Sequence, residues 1–130
     1  MTAFLEHVNL TVAEPEATAA MLGRLFGWQV RWQGAAIHGG RSVHVGTPGQ
    51  AGGQYLALYR GAGAQAEPAD SYGMRAGLNH IAVVVDDLDA TEARVAAEGF
   101  APMNHADYEP GRRFYFRDGD GVEYEVVSYA

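Results

Sequence analysis

Cysteine is absent from this chain of 130 residues. That absence excludes disulfide frameworks, zinc ribbons, thiol nucleophiles and thiol redox switches. Basic residues are also scarce, since nine Lys and Arg stand against 16 Asp and Glu and give a formal charge of −7. Phosphates are bound by clustered basic side chains, so nucleic acid is not expected as a partner.

Long apolar runs are missing too, because no segment approaches the ~18 residues of a membrane-spanning helix. Glu6 stands near the N-terminus, where a secretory signal would carry Lys or Arg. We therefore expect a cytoplasmic protein with no membrane partner. A chain of 130 residues has the length of one domain and can bury a core without crosslinks. Its chemistry must come from His, Asp, Glu, Tyr, Arg or a bound metal.

An internal repeat organises the sequence. A shift of 73 residues places residues 5–12 on 78–85 and His7 on His80. A second match, at an offset of 69, places residues 55–58 on 124–127 and Leu56 on Glu125. Two matches in the same order indicate a duplicated module.

Each half is predicted as strand–helix–strand–strand–strand, which makes the fold α+β. In the first half, the helix is expected to begin at Pro15 and to end at Gly27. In the second half, the helix is expected to end at Gly99. Apolar and β-branched runs predict strands over 4–12, 28–33, 41–46, 54–59, 78–85, 112–117 and 122–128.

We predict one domain over residues 1–130, built from two modules. The first module covers about residues 4–60 and the second about residues 78–130. Between them, residues 61–77 are rich in Gly, Ala and Pro and are typical of an exposed connector.

Polar residues interrupt the apolar strands at repeated positions. Strand alternation places His7 and Asn9 on one face, and His80 occupies the position of His7 in the second module. A single strand histidine is commonly a structural residue, but the duplicated position favours a shared role. If equivalent strands face one cavity, His7, His80 and Glu125 converge. Two imidazoles and a carboxylate can hold a divalent metal and leave coordination positions open.

Three segments carry a resemblance to a known family. They are Leu5-x-His7, Leu78-Asn79-His80-Ile81 and the run from Phe114 through the turn Asp118-Gly119-Asp120-Gly121 to Glu125. Together they resemble the vicinal oxygen chelate superfamily, which includes glyoxalase I, bleomycin-resistance proteins, extradiol dioxygenases, fosfomycin-inactivating transferases and methylmalonyl-CoA epimerase.

The resemblance implies two paired βαβββ modules curled into a half-open barrel. It implies metal ligands at His7, His80 and Glu125, and a homodimer whose sites take residues from both chains. Fe, Mn, Zn and Ni all accept this donor set. Glyoxalase I and the epimerase would add a ligand late in the first module, where Leu56 stands in this sequence. Leu56 cannot bind a metal, so both activities are disfavoured.

A bound metal would act as a Lewis acid on two neighbouring oxygens of a small substrate. Glu125 and Tyr115 are the predicted catalytic residues, with Tyr115 as a hydrogen-bond donor or acid. Asn9, Arg113 and Tyr115 are predicted to bind the substrate, and Arg113 suits a carboxylate. The expected function is a metal-dependent lyase, isomerase or dioxygenase. One alternative is a metal-free protein that sequesters flat cationic ligands in the manner of the bleomycin-resistance proteins. Another is a dimeric ligand-binding domain that retains a metal without catalysis.

Overall fold

The structure is a computed structural model that describes residues 3–48, 53–63, 71–108 and 111–130. The chain divides into two compact units, Met1–Gln65 and Ala66–Ala130. Part of the predicted connector, residues 64–70, lies outside the described residues.

The first unit consists of one helix and one four-stranded sheet. Helix α1 (Pro15–Phe26) has a proline in its first turn and ends where Gly27 adopts a φ of 72°. This left-handed conformation favours glycine because it has no Cβ. The strands of this sheet are β1 (His7–Thr11), β2 (Gln29–Ala35), β3 (Arg41–Gly46) and β4 (Tyr55–Arg60).

Strand order in this sheet is β1-β4-β3-β2, with β1 parallel to β4 and the other pairs antiparallel. Buried side chains of α1, such as Leu22 and Leu25, belong to the same core as Val43 and Leu58 of the sheet. Because side chains alternate along a strand, the opposite face of the sheet carries His7 and its neighbours.

The second unit repeats this arrangement. Asp87 caps helix α2 (Leu88–Ala97), and its carboxylate accepts a hydrogen bond from the backbone N–H of Ala90. The strand order is β5-β8-β7-β6. The strands of this sheet are β5 (Ile81–Val84), β6 (Met103–Tyr108), β7 (Gly111–Arg117) and β8 (Glu123–Ser128).

The α+β fold with two βαβββ modules is confirmed. The sequence set no bounds for β6, which has no buried residue to provide an alternating apolar pattern. Among the described residues, no helix has both the length and the apolar composition needed to cross a membrane.

The sheet registers correct the second repeat match. Val8 lies beside Leu56 in the first unit, and Ile81 lies beside Tyr124 in the second. Val8 and Ile81 are equivalent in the repeat, so Leu56 corresponds to Tyr124 and Ala57 to Glu125. The offset of 69 was therefore wrong by one residue, a slip that moves each side chain to the other face. The place equivalent to Glu125 is Ala57, which has no metal-binding group either.

Candidate metal and substrate site

One face of the second sheet gathers most of the predicted site residues. Glu125 lies opposite Tyr115 and beside Ala82, which places alternate residues of β5, β7 and β8 on a common face. His80, the residue before β5, lies on the same face and contacts Glu125. The charged or polar side chains that share this face are His80, Arg113, Tyr115, Arg117, Glu123 and Glu125.

His80 and Glu125 form the centre of this group. Nε2 of His80 is 3.1 Å from Oε1 of Glu125, and their side chains are 31% and 10% exposed. Two ligands that are each about 2.1 Å from an octahedral cation lie about 3.0 Å apart. The pair therefore fits adjacent positions on one divalent ion, with a neutral imidazole nitrogen and a carboxylate oxygen as donors.

Arg113 holds the other oxygen of Glu125. Its Nη1 donates to Oε2 of Glu125 at 2.8 Å, and its Nη2 donates to the carbonyl oxygen of Gly111 at 3.2 Å. The guanidinium also stacks on the ring of Tyr108, with Cζ 4.7 Å from the ring centre. Within the described part of the chain, the buried Nε of Arg113 has no hydrogen-bond partner. Arg113 is thus already engaged with the carboxylate that the sequence predicts as a ligand.

Tyr115 packs edge-on against the ring of His80. The ring centres are 5.6 Å apart and the planes meet at 87°. Burial, and then the negative charge of Glu125, raise the pKa of Tyr115 above its usual value. The hydroxyl therefore stays protonated at neutral pH, which suits a hydrogen-bond donor.

Two residues near His80 were missed by the sequence analysis as functional candidates. The hydroxyl of Tyr72 is 3.0 Å from Nδ1 of His80 and donates to Oε2 of Glu123 at 2.7 Å. The hydrogen bond to Glu123 raises the pKa of Tyr72 to about 12. Glu123 could have been selected, because it shares a strand face with Glu125. Tyr72 lies in the predicted connector, where no repeat or spacing marks it.

His7 and Asn9 lie in the first unit, on the sheet face opposite the buried core. Nδ1 of His7 is 2.8 Å from Oε1 of Glu6, which also accepts a hydrogen bond from Tyr55 at 3.1 Å. The bond to His7, ahead of that from Tyr55, lowers the pKa of Glu6. Asn9 lies beside Ala57 and is exposed. The predicted ligands thus divide between the units, with His7 in the first and His80 and Glu125 in the second.

A row of rings extends from His7 across the first sheet. Tyr55 stacks with His7 and with His44, at ring-centre distances of 4.9 and 4.7 Å. Trp32 lies 4.9 Å from His44 and is 49% exposed. Burial and the neighbouring His7 lower the pKa of His44. These aromatic rings line one face of the sheet, and the half-exposed ring of Trp32 can stack with a flat molecule.

The described residues contain no group of three or more His, Cys, Asp or Glu side chains close enough to hold a metal ion. Within the second unit, the candidate donors are the pair His80 and Glu125. His7 is the third predicted donor.

Two βαβββ modules, with His7 at the start of β1 and His80 directly before β5, define a two-module α+β protein of the glyoxalase type. The chain belongs to the Glyoxalase/Bleomycin resistance protein/Dioxygenase superfamily, which it matches over residues 4–126. None of the curated proteins compared with it gives a significant match.

Solved structures of similar fold include proteins of several kinds. A glyoxylase/bleomycin resistance protein/dioxygenase domain from Frankia sp. EAN1pec has a TM-score of 0.80 at 24% identity, covering 98% of both chains. TnmS3, an antibiotic binding protein from Streptomyces sp. CB03234, has a TM-score of 0.74 at 19% identity, covering 99% of this chain and 98% of that one.

A mutant of the fosfomycin resistance protein FosX from Listeria monocytogenes, complexed with Mn(II) and 1S,2S-dihydroxypropylphosphonic acid, has a TM-score of 0.71 at 21% identity. The match covers 98% of this chain and 93% of that one. At these identities the structures establish the fold. They include both a metal complex and a ligand-binding protein.

Proposed function

We propose that this protein is a metal-dependent enzyme acting on a small oxygenated substrate that chelates the metal through two neighbouring oxygens. The observation that carries the proposal is the 3.1 Å spacing between Nε2 of His80 and Oε1 of Glu125. Both donors are of the types that divalent transition metals accept, and Glu125 is largely buried. His7 is the proposed third ligand, because it occupies the position of His80 in the first module.

A divalent ion on these residues would supply Lewis acidity to the substrate oxygens. Tyr115, with its raised pKa, would donate a hydrogen bond or a proton to a substrate oxygen near His80. Glu125 is proposed both to bind the metal and to act in catalysis. Arg113 fixes the carboxylate of Glu125. Substrate contacts are proposed for Asn9, on the strand face of His7, and for the Nε of Arg113.

The reaction class is proposed as lyase, isomerase or dioxygenase chemistry, with Fe, Mn, Zn or Ni as the metal. Zinc or nickel favours isomerisation, and iron favours oxygen chemistry. The proposal includes a cytoplasmic homodimer with sites shared between chains, as the family resemblance implies. The partner in solution is a small molecule, and we propose neither nucleic acid nor a membrane surface.

Metal analysis with a matched pair of histidine variants tests the proposal. Untagged protein purified without chelators should contain close to one metal ion per site, and His80→Ala should lose it. His105→Ala is the control, since Nε2 of His105 also lies 3.0 Å from a glutamate, Glu92, but with 55% of its side chain exposed. Protein that contains no metal and binds none when it is added would overturn the proposal, as would equal metal content in both variants.

Sequestration of a flat ligand is a second candidate, favoured by the ring row of Trp32, His44, Tyr55 and His7. The net charge of −7 suits a cationic ligand. Binding of ethidium, used as a flat cationic probe, separates the two functions. Sequestration predicts binding that survives chelation and His80→Ala but is lost in Trp32→Ala. Loss of ethidium binding in His80→Ala, with retention in Trp32→Ala, would reject sequestration at the ring row.

A further inference from the structure

The hydroxyl of Tyr72 bridges His80 and Glu123. It lies 3.0 Å from Nδ1 of His80 and 2.7 Å from Oε2 of Glu123, whereas the direct distance from His80 Nδ1 to Glu123 is 4.0 Å. Glu123 is 8% exposed and accepts a second hydrogen bond from Arg117 at 3.0 Å. Both oxygens of this carboxylate are therefore engaged, and its link to His80 passes through Tyr72.

The direction of these bonds determines where the imidazole proton lies. A tyrosine hydroxyl has one proton, and in this bridge it is donated to the carboxylate of Glu123. Toward His80 the hydroxyl oxygen can then only accept, so Nδ1 of His80 must carry a hydrogen. The remaining nitrogen, Nε2, is the one that faces Glu125 at 3.1 Å. In the neutral Nδ1–H ring, Nε2 keeps the lone pair that a metal ligand requires, and the contact with Tyr72 opposes the preference of the Glu125 carboxylate for a hydrogen on Nε2.

We infer that Tyr72 and Glu123 are positioning residues that hold the His80 ring as the Nδ1–H tautomer and aim Nε2 at the metal. This inference rests on the proposed role of His80 as a metal ligand. The hydrogen bond made by the second nitrogen of a ligand histidine sets its tautomer and its orientation. In this protein the bond to His80 is made by Tyr72, which lies in the segment before β5. The buried carboxylate of Glu123 in turn fixes the hydroxyl of Tyr72.

The local chain geometry supports this role. Tyr72 lies in a short 3-10 turn, Ser71–Gly73, and the next turns are closed by backbone bonds from Met74 to Ser71 and from Gly77 to Met74. A Cβ on Gly77 would stand 2.7 Å from the carbonyl oxygen of Ser71. The close approach of Gly77 to Ser71 therefore requires glycine at position 77. With these turns closed, the chain enters β5 with Tyr72 beside His80.

Nitrogen chemical shifts of the His80 ring in metal-free protein test the inference directly. In the neutral ring, the parent should show a larger share of the tautomer with hydrogen on Nδ1 and a bare Nε2 than Tyr72→Phe does. Tyr72→Phe should shift the ring toward the Nε2–H tautomer, and Glu123→Leu should do the same. Glu123→Gln, which keeps an acceptor for Tyr72, should retain much of the parent pattern. Tyr129→Phe is the control, because Tyr129 is an exposed tyrosine of the same unit with no contact to His80 in the described structure.

Titration with Mn(II) alone gives the second readout. Tyr72→Phe should bind Mn(II) about 10–100-fold more weakly than the parent, and Tyr129→Phe should bind it equally well. An unchanged tautomer in Tyr72→Phe would overturn the inference while leaving the metal site intact. A tautomer that shifts in Tyr72→Phe, together with a parent protein that binds no Mn(II), would uphold the positioning of the ring and refute the proposed function instead.

Discussion

Arg113 and Glu125 form a nearly buried ion pair on adjacent strands, with Nη1 of the arginine 2.8 Å from Oε2 of the glutamate. Their side chains are 12% and 10% exposed. Glu125 also approaches His80 through its other oxygen. Arg113 and His80 thus position the Glu125 carboxylate from two sides, which reduces the reorganisation that ligand binding requires.

Arg113→Met should destabilise the protein because it removes the guanidinium that compensates the charge of the largely buried Glu125 carboxylate. We expect the urea midpoint to fall by on the order of 1 M. Arg112→Met is the matched control on the same strand, since Arg112 pairs with Asp89 at 3.1 Å while their side chains are 53% and 79% exposed. Exposed ion pairs contribute little, so its midpoint should barely move. Equal midpoints for the two variants would mean that the buried pair adds nothing to stability.

Local signals in the sequence were enough to predict α1. The strand register and the tertiary contacts could not be predicted in this way. Pro15 and Gly27 mark the ends of the helix through their own backbone preferences. The repeat match placed Leu56 on Glu125 because a tyrosine followed by apolar residues occurs in both strands, and this pattern does not encode which neighbour each residue pairs with.

The candidate site shows the same limit. Arg113 and Tyr115 were both predicted to bind substrate, and the sheet register places both on the face of Glu125. The sequence could not predict that Arg113 would bond to Glu125, because this bond depends on the Arg113 rotamer and on the approach of β7 to β8. Tyr72 reaches His80 through a turn in a Gly- and Ala-rich segment, and composition does not specify such a contact.

His44 should titrate below the usual histidine pKa of about 6.5. Burial and the adjacent His7 disfavour the imidazolium and lower its pKa. Since the folded state binds this proton less readily than the unfolded chain, the contribution of His44 to stability is present above about pH 6.5 and is lost as pH falls through the lowered value.

Nitrogen and proton shifts of the His44 ring, recorded against pH in metal-free protein, measure this value. The His44 midpoint should lie below the usual histidine value of about 6.5. A His44 midpoint equal to or above it would show that the ring row does not exclude solvent from this imidazole.

The turn between β7 and β8 should be the feature that sets the register of Glu125. Oδ1 of Asp118 accepts hydrogen bonds from the backbone N–H groups of Asp120 and Val122, at 2.9 and 3.0 Å, and its Oδ2 accepts from the hydroxyl of Tyr124 at 3.0 Å. Gly121 adopts a φ of 81° in the same turn. One carboxylate therefore ties the turn to the first residues of β8.

Asp118→Ala removes all three bonds and should lower the free energy of unfolding by about 2–4 kcal/mol, because bonds to a charged acceptor are each worth about 1.5–3 kcal/mol and do not add fully. Tyr124→Phe removes the bond to Oδ2 and should cost less, about 1.5–2 kcal/mol. Urea unfolding of both variants measures the difference. If Asp118→Ala cost no more than Tyr124→Phe, the backbone bonds to Asp118 would be dispensable, and the register of Glu125 would have to be set by the strand pairing itself.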